Sequence, residues 1–214
     1  MRESEAGGSS APGPQHRARG ESAPRGHSAA SFPALDTTRL TLRTHTAADF
    51  ADSTAMWADP AVTRHIGGRP STAEETWARV LRYAGHWTLL GFGYWAVRER
   101  GTGRFVGEVG LADYRREMTP ALDAPEVGWV LAPWAHGRGL ATESVEAALA
   151  WADAQAGSSS APPALATGRT ACAIAPENVA SVRVAEKCGF RRTGSATYRG
   201  AALAVLTRHA TAGP

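Results

Sequence analysis

The segment that decides the fold joins an apolar strand to a helix through a glycine-rich turn, and it reads Val130-Leu131-Ala132-Pro133-Trp134-Ala135-His136-Gly137-Arg138-Gly139-Leu140-Ala141-Thr142-Glu143. The first N–H groups of a helix lack internal acceptors and lie at the positive end of the helix dipole. Gly137 and Gly139 carry no side chain that would keep a ligand from the backbone. Arg138 adds charge, and Ala141 keeps the next turn small. The sequence therefore predicts a diphosphate site at this turn.

The helix that follows this turn has one apolar face. Its apolar residues recur at the spacing i, i+4, i+7, i+8 and i+11, and they are Ala141, Val145, Ala148, Leu149 and Ala152. Two other phosphate-binding patterns fit the turn poorly. The chain has no G-x-x-x-x-G-K-[ST] sequence, and Gly137-x-Gly139-x-x-Thr142 lacks the last glycine of a dinucleotide fingerprint. An ordinary glycine-rich turn with no ligand is the alternative that this segment alone leaves open.

Strand and helix patterns around this segment predict a mixed α/β sheet. The predicted strands lie at 39–44, 92–99, 104–111, 126–131, 170–174, 195–198 and 202–207, and the predicted helices at 49–58, from about 71, after 139, and at 178–188. Ser71 and Glu74 have the spacing of a capping box, and Gly189-Phe190 has the pattern of a Schellman stop. The strand–helix–strand run from Glu126 to Ile174 is a crossover, which requires two parallel strands.

Composition limits the kind of protein. The 214 residues suit a single domain at 35–214, preceded by a Gly/Ser/Pro/Arg-rich tail at 1–34 that we expect to be disordered. Lys187 is the only lysine, the net charge is +3, and acidic and basic residues are interspersed, which argues against a nucleic-acid partner. Without a long apolar run or a signal sequence, we expect a cytoplasmic protein with no membrane contact. Cys172 and Cys188 are expected to be free thiols, and no metal site is predicted.

A second element makes the interpretation specific: Asn178-Val179-Ala180-Ser181 opens the last helix, and Glu186-Lys187-Cys188-Gly189-Phe190 closes it. With the first segment, this helix resembles the GCN5-related N-acetyltransferase (GNAT) superfamily. His136, Gly139 and Ala141 stand at the three defined positions of its acetyl-CoA motif, [Q/R]-x-x-G-x-[G/A], with histidine as a departure. The run Pro125–Leu131 and the N-x-x-S…E-K-C-G-F helix resemble the RimJ/RimL-like ribosomal-protein branch. The resemblance covers about Asp36 to Thr207.

The resemblance implies a fold and a set of roles. It implies a mostly antiparallel mixed sheet, flanked by helices, whose central parallel strands 126–131 and 170–174 splay apart. The backbone of Val130 and Leu131 would pair with the pantetheine arm of acetyl-CoA, and Asn178 and Ser181 would lie beside its thiol end. The diphosphate would bind the amides of the turn, whose residues are His136, Gly137, Arg138, Gly139, Leu140, Ala141 and Thr142. For Asn178 and Ser181, helix capping is an equally good explanation.

Transfer of an acetyl group to an amine needs a base, a polarised carbonyl and an acid for the leaving thiolate. Glu126 begins the strand that would carry the thioester, and it is the first candidate for the base. Glu108 is the second candidate. Ser181 is the candidate acid, with Tyr198 as an alternative, and a backbone N–H of Val130 or Leu131 is the expected oxyanion donor. Neither cysteine has a histidine nearby in sequence, so we expect direct attack without an acyl-enzyme.

Two functions fit these residues. The first is an acetyl-CoA-dependent N-acetyltransferase, monomeric or homodimeric, that acts on a primary amine: a protein N-terminus or a small-molecule amine. The second is an acyl-CoA-binding sensor or scaffold of the same fold without turnover. The segment His65–Pro70 lies between two early helices, where this fold shapes its acceptor site, and it does not reveal which amine is selected.

Overall fold

The computed structural model describes residues 32–210, and within them the chain forms nine strands and six α-helices. The strands are β1 (Leu35–Asp36), β2 (Leu40–Thr44), β3 (Tyr94–Glu99), β4 (Phe105–Ala112), β5 (Met118–Thr119), β6 (Glu126–Leu131), β7 (Arg169–Ile174), β8 (Arg191–Tyr198) and β9 (Ala201–His209). The helices are α1 (Phe50–Trp57), α2 (Pro60–Thr63), α3 (Ala73–Leu90), α4 (Leu140–Asp153), α5 (Pro163–Ala166) and α6 (Val179–Lys187). The predicted α/β class is confirmed.

All nine strands belong to one sheet, in the order β1-β2-β3-β4-β6-β7-β9-β8-β5. Every neighbouring pair is antiparallel except β6 and β7, which are parallel. Antiparallel strands can follow one another through short turns, but the parallel pair needs the crossover that α4 supplies. The mostly antiparallel sheet with a central parallel pair is therefore confirmed. The two-residue strand β5 has too short a pattern to be recognised in the sequence.

The predicted apolar face of α4 packs against the sheet. Leu140, Val145, Ala148, Leu149 and Ala152 are all buried, and Ala141 is half-buried. They form one cluster with apolar residues of the central strands, including Val109, Val127 and Leu131. This packing fixes the position of the first turn of α4 relative to the end of β6.

The capping box of α3 lies one residue later than the sequence pattern indicates. Thr72, not Ser71, is the N-cap: its hydroxyl accepts the Glu75 N–H at 3.2 Å, and the Glu75 carboxylate accepts the Thr72 N–H at 2.9 Å. The run Ser-Thr-Ala-Glu-Glu offers two pairs with the same spacing, so the pattern alone cannot choose between them. Further along the helix, Val80, Tyr83 and Trp87 are buried in the core.

Contacts with the domain begin before the expected boundary at Leu35. The carbonyl of Pro33 accepts a hydrogen bond from the indole of Trp95 at 2.8 Å, and the ring of Phe32 lies 5.6 Å from that of Trp87. The remainder of the predicted tail, residues 1–31, lies outside the described residues. In the described part of the chain, no helix has the length and apolar character to cross a membrane.

Helix α6 ends in the predicted Schellman motif. Gly189 has a φ of +88°, its N–H donates to Glu186 O at 3.1 Å, and the Phe190 N–H donates to Ala185 O at 3.0 Å. Phe190 is completely buried, as the motif requires of its apolar residue.

Replacing Gly189 with alanine should destabilise the protein by about 1–2 kcal/mol, because an L-residue is strained at positive φ. The added methyl group itself has room, since its nearest neighbour would be Arg208 Nε at 3.6 Å. Gly194 is the matched control: it lies in β8, its φ is not positive, and nothing lies within 4 Å of an added Cβ. Urea denaturation midpoints measure both variants. Equal loss of stability in the two would contradict a conformational origin.

Candidate active site

Six consecutive backbone N–H groups at the start of α4 have no hydrogen-bond acceptor among residues 32–210. They belong to Gly137–Thr142, which we call the cradle, and the next N–H along the chain, that of Glu143, donates to Gly139 O at 3.1 Å. Gly137 and Gly139 have φ of +73° and +75°, a conformation that glycine adopts without strain. Gly137, Arg138 and Gly139 are exposed to solvent. The cradle therefore presents a concentrated positive field to an anion.

His136 supports the cradle from within the loop. Its backbone N–H already donates to Pro133 O at 3.1 Å, so it is not among the free donors. Its ring Nε2 lies 2.9 Å from the carbonyl oxygen of Leu131. Because a carbonyl only accepts, Nε2 carries the proton, and the ring ties the turn to the end of β6. The residue that departs from the acetyl-CoA motif thus acts as a brace for the loop.

A carboxylate lies in the first turn of α4, and its charge is neutralised. The Glu143 carboxylate accepts hydrogen bonds from the Thr37 hydroxyl, from the Arg39 backbone N–H at 2.9 Å and from Arg39 Nε at 2.7 Å. Partial burial raises the pKa of Glu143, but these hydrogen bonds outweigh it and lower the pKa overall. Arg39 also donates to Arg138 O at 2.9 Å. No sequence motif marks Arg39, which precedes β2 and contacts the cradle from about a hundred residues away.

The Arg138 side chain does not add free charge to the cradle. Its guanidinium donates to Glu99 Oε1 at 2.8 Å and lies 5.1 Å from the ring centre of Trp134. Its contribution to the cradle is the backbone N–H.

β6 and β7 separate immediately after their first contact. Their only registered pair is Glu126 with Ala171, and the Ala171 N–H donates to Pro125 O at 3.0 Å. On their outer sides the same strands pair over six positions each, β6 with β4 and β7 with β9. Gly128, Trp129 and Val130 are consequently half-exposed although they lie in a central strand. The predicted splay is present, and it opens toward the cradle.

The two expected pantetheine partners on β6 face different strands. The Ala132 N–H donates to Val106 O at 2.9 Å, so alternation along the strand directs the polar groups of Val130 toward β4 as well. A Cβ on Gly107 would lie 2.1 Å from Val130 O, which places that carbonyl on the β4 side. Leu131 therefore directs its N–H and C=O away from β4, and Val130 does not. Because the Leu131 carbonyl already accepts His136 Nε2, the N–H is its free group in the splay. The expectation for the Val130 backbone is wrong, since β4 already occupies its polar groups.

Asn178 and Ser181 lie at the start of α6, where β7 leads out of the splay. The Asn178 side-chain oxygen accepts the Ser181 N–H at 3.2 Å, so Asn178 is an N-cap, as its alternative interpretation predicted. Its amide nitrogen and the half-buried Ser181 hydroxyl form no hydrogen bond with the described residues. Capping therefore accounts for one atom of Asn178 and leaves two polar groups available at this helix start.

Glu126 lies at the narrow end of the splay beside a cavity of about 170 Å³. Its carboxylate accepts hydrogen bonds from Arg116 Nε at 2.8 Å and Arg116 Nη2 at 3.2 Å. Burial raises the pKa of Glu126, and the attraction of Arg116 only partly offsets this. A carboxylate with a raised pKa and an open cavity beside it is suited to accept a proton near neutral pH.

Glu108, the second candidate for the base, is completely buried and already occupied. It accepts hydrogen bonds from the Ser53 hydroxyl, from Trp57 Nε1 at 2.9 Å and from the Tyr83 hydroxyl at 3.1 Å, and His45 Nε2 lies 3.6 Å away. Burial raises the pKa of Glu108, but the nearby His45 ring and the hydrogen bonds from Ser53 and Trp57 lower it overall. This carboxylate joins α1 and α3 to β4, and its side chain has no exposed surface.

Tyrosines that the sequence did not single out cover the β6 side of the splay. The Tyr94 ring stacks on Tyr83 with centres 4.5 Å apart, and its hydroxyl lies against Gly128. Burial, with the nearby Tyr114 and Glu126, raises the pKa of Tyr94 well above its ordinary value. Its only sequence signal is its place at the start of a buried strand.

The fold and the cradle define an acetyltransferase of the GNAT type, and comparison with known families agrees. The acetyltransferase (GNAT) domain family matches residues 39–191, and the chain belongs to this family.

Solved structures extend this result. A protein of Bordetella pertussis assigned to the GnaT family of acetyltransferases is 32% identical, covers 82% of this chain and 99% of its own, and has a TM-score of 0.68. An acetyltransferase from Agrobacterium tumefaciens str. C58 is 28% identical over 84% of this chain and 95% of its own, with a TM-score of 0.68. RimL, a ribosomal L7/L12 α-N-protein acetyltransferase in complex with coenzyme A, is 15% identical and covers 83% of this chain and 98% of its own. Its TM-score is 0.64, so it shares the fold.

Gly128→Ala should destabilise the protein by about 1–3 kcal/mol, because the new Cβ would lie 2.2 Å from the Tyr94 hydroxyl oxygen. Tyr94→Phe removes that oxygen, and the next ring atom would be 3.4 Å away. The double variant should therefore regain most of the lost stability, which calorimetric melting of the four proteins in a double-mutant cycle would measure. Strictly additive effects of the two changes would contradict the contact.

Proposed function

We propose that the protein is an acetyl-CoA-dependent N-acetyltransferase that moves an acetyl group directly to a primary amine. The observation that supports this most is the cradle, whose six N–H groups have no partner within residues 32–210 and lie beside a sheet that opens along β6. Hydrogen bonds to a charged partner contribute about 1.5–3 kcal/mol each, so a few of these donors suffice to hold a diphosphate. The pantetheine arm then extends into the splay, where the Leu131 backbone is the available partner on β6.

The proposed reaction uses this chain's own groups at each proton transfer. Glu126 takes the proton of the acceptor ammonium, directly or through one water, and the amine attacks the thioester carbonyl carbon. The Leu131 N–H pairs with the pantetheine arm, so it is not the oxyanion donor. By the same alternation the Trp129 N–H also points into the splay. It lies nearer to Glu126 and stabilises the developing oxyanion. The C–S bond then breaks. Ser181 passes its hydroxyl proton to the leaving thiolate and takes up the second proton that the attacking nitrogen loses, so that the serine hydroxyl is restored. Tyr198, half-buried and 5.2 Å from Arg116, is the alternative acid.

The thiols give no support to an acyl-enzyme. Cys172 is 1% exposed and Cys188 is 6% exposed. Burial raises the pKa of the Cys172 thiol far above its ordinary value and that of Cys188 to about 12. A thiol that stays protonated at neutral pH is a poor nucleophile. Direct attack by the amine is therefore the favoured course.

The acceptor is proposed as a class: a protein N-terminus or a small-molecule amine. Thiol release from acetyl-CoA, measured against a panel of peptides and small amines, tests this. A non-catalytic acyl-CoA sensor is the second candidate, because the cradle alone serves both functions. Tight acetyl-CoA binding without thiol release on any acceptor would favour the sensor.

Gly137→Asp tests the cradle by placing a negative charge in it. Nothing lies within 4 Å of an added Cβ at Gly137, and both Asp and Asn tolerate its positive φ. Aspartate should weaken coenzyme A binding about tenfold or more, since like charges repel, whereas Gly137→Asn should change it much less. Isothermal titration calorimetry measures both affinities. Pantetheine, which lacks the diphosphate, should bind both variants equally; a difference there, or equal effects on coenzyme A, would contradict the assignment.

Glu126→Gln should lower kcat about 10²-fold, because the amide cannot accept the proton. The affinity for coenzyme A should stay unchanged, as the substitution lies at the opposite end of β6 from the cradle. Steady-state kinetics over a range of pH, with the best amine of the panel, give both quantities. An unaltered pH–rate profile would remove Glu126 from the role of base.

A further inference from the structure

Arg116 and Glu126 form an ion pair with two hydrogen bonds. Both residues use two atoms: Nε donates to Oε2 at 2.8 Å, and Nη2 donates to Oε1 at 3.2 Å. Such a two-point pair fixes the plane of the carboxylate as well as its distance. A carboxylate has about four acceptor positions, so two stay available for a water or an ammonium group.

Aromatic rings hold the guanidinium in turn. Its central carbon lies 4.7 Å from the ring centre of Tyr114 and 5.2 Å from that of Tyr198. Tyr114 belongs to the connection between β4 and β6, and Tyr198 ends β8. In the same connection, Met118 and Thr119 pair with Tyr198 and Thr197, so the backbone that carries Arg116 is fastened to the far side of the sheet. The sequence offered no motif for this arrangement, which depends on residues distant along the chain.

The charged and titratable groups around Glu126 come from several elements. Arg116 supplies the direct positive charge. Tyr94 of β3 and Tyr114 of the connection lie near it with raised pKa values, due first to burial, and Cys172 of β7 is a buried thiol whose pKa is also raised, again first by burial. Asp113 and Arg115 line the same cavity and pair with each other at 3.4 Å, and the Arg115 side chain is 85% exposed. Arg116 is therefore the one cation in direct contact with the Glu126 carboxylate among the described residues.

We propose that Arg116 is a positioning residue for acetyl transfer, which holds the Glu126 carboxylate ionised and oriented toward the cavity at the narrow end of the splay. This inference rests on the proposed function, in which Glu126 takes the proton of the acceptor amine. Without Arg116, the carboxylate would be left in a buried site whose other neighbours are tyrosines and a thiol. Burial without a paired charge favours the neutral acid.

The direction of the pH effect follows from these contacts. Burial already raises the pKa of Glu126, and removal of Arg116 takes away the main opposing influence, so the pKa rises further. A base acts only when it is deprotonated. The fall of kcat/KM on the acid side should therefore begin at a higher pH in an Arg116 variant, while activity at alkaline pH recovers.

The experiment compares Arg116→Gln and Arg116→Lys with the starting protein by two readouts. The first is the ¹³C carboxyl titration of Glu126, with Glu126→Gln used to assign the signal. The second is the pH profile of kcat/KM with the best amine of the panel, the same amine for every protein. Arg116→Gln should raise both midpoints by about one pH unit or more. Arg116→Lys keeps the charge but not the two-point geometry, so it should raise them less.

Arg115→Gln is the matched control. Arg115 is the neighbour of Arg116 in the chain, its side chain is exposed, and the substitution removes the same charge. It should leave both midpoints in place. A lower activity in Arg116→Gln with both midpoints unmoved would overturn the inference, since that result means a purely structural role. If the glutamine variant does not fold, Arg116→Lys replaces it in the same test. Reduced activity with both midpoints unmoved in the lysine variant would then overturn the inference.

Glu126→Gln separates the two proposals. If it abolishes the acid-side fall of kcat/KM but Arg116→Gln does not move that fall, the role of Arg116 is refuted and that of Glu126 stands. If Glu126→Gln keeps the starting profile, Glu126 is not the base, and the proposal for Arg116 is overturned with it.

Discussion

The structure depends on a sheet that is continuous everywhere except between β6 and β7. Unpaired backbone groups in a protein interior are costly, and folded chains satisfy almost all of them. Here one central strand pair stops after a single register position, and the next turn leaves six N–H groups without acceptors in the described part of the chain. The fold keeps these groups together at one opening rather than scattered. A ligand with a diphosphate and an extended amide chain matches both sets of unpaired groups.

Neighbouring residues hold the opening between β6 and β7 in position and keep uncompensated negative charge away from the cradle. α4 packs one apolar face on the sheet, so the cradle stays at the end of β6. His136 fixes the loop to Leu131, and Arg39 neutralises the carboxylate that would repel an anion. On the other face, the buried Glu108 joins α1 and α3 to β4 through Ser53, Trp57 and Tyr83. Breaking one partner of such a buried network costs more than its net contribution, so these helices are held firmly over β4.

Local pattern sufficed for features that depend on neighbours in the chain. The Gly137–Glu143 turn, the periodic face of α4 and the Schellman stop at Gly189 were all predicted from spacing, and the structure has them. What the pattern missed depends on distant residues. Only the register with β4 reveals that Val130 faces away from the splay, and the Arg116–Glu126 pair depends on how the β4–β6 connection folds back. The shift from Ser71 to Thr72 is the exception: two equal local signals compete there, and the capping hydrogen bonds form between Thr72 and Glu75.

Arginine supplies nearly every positive charge, and the single lysine, Lys187, lies exposed in the last turn of α6. A guanidinium stays protonated at any physiological pH and offers no lone pair for acylation. An enzyme that acylates amines thus builds its ion pairs from side chains that its own product chemistry leaves untouched. Lys187 is the single side-chain amine, and it lies far along the chain from Arg39 and Arg116, the arginines that organise the cradle and Glu126.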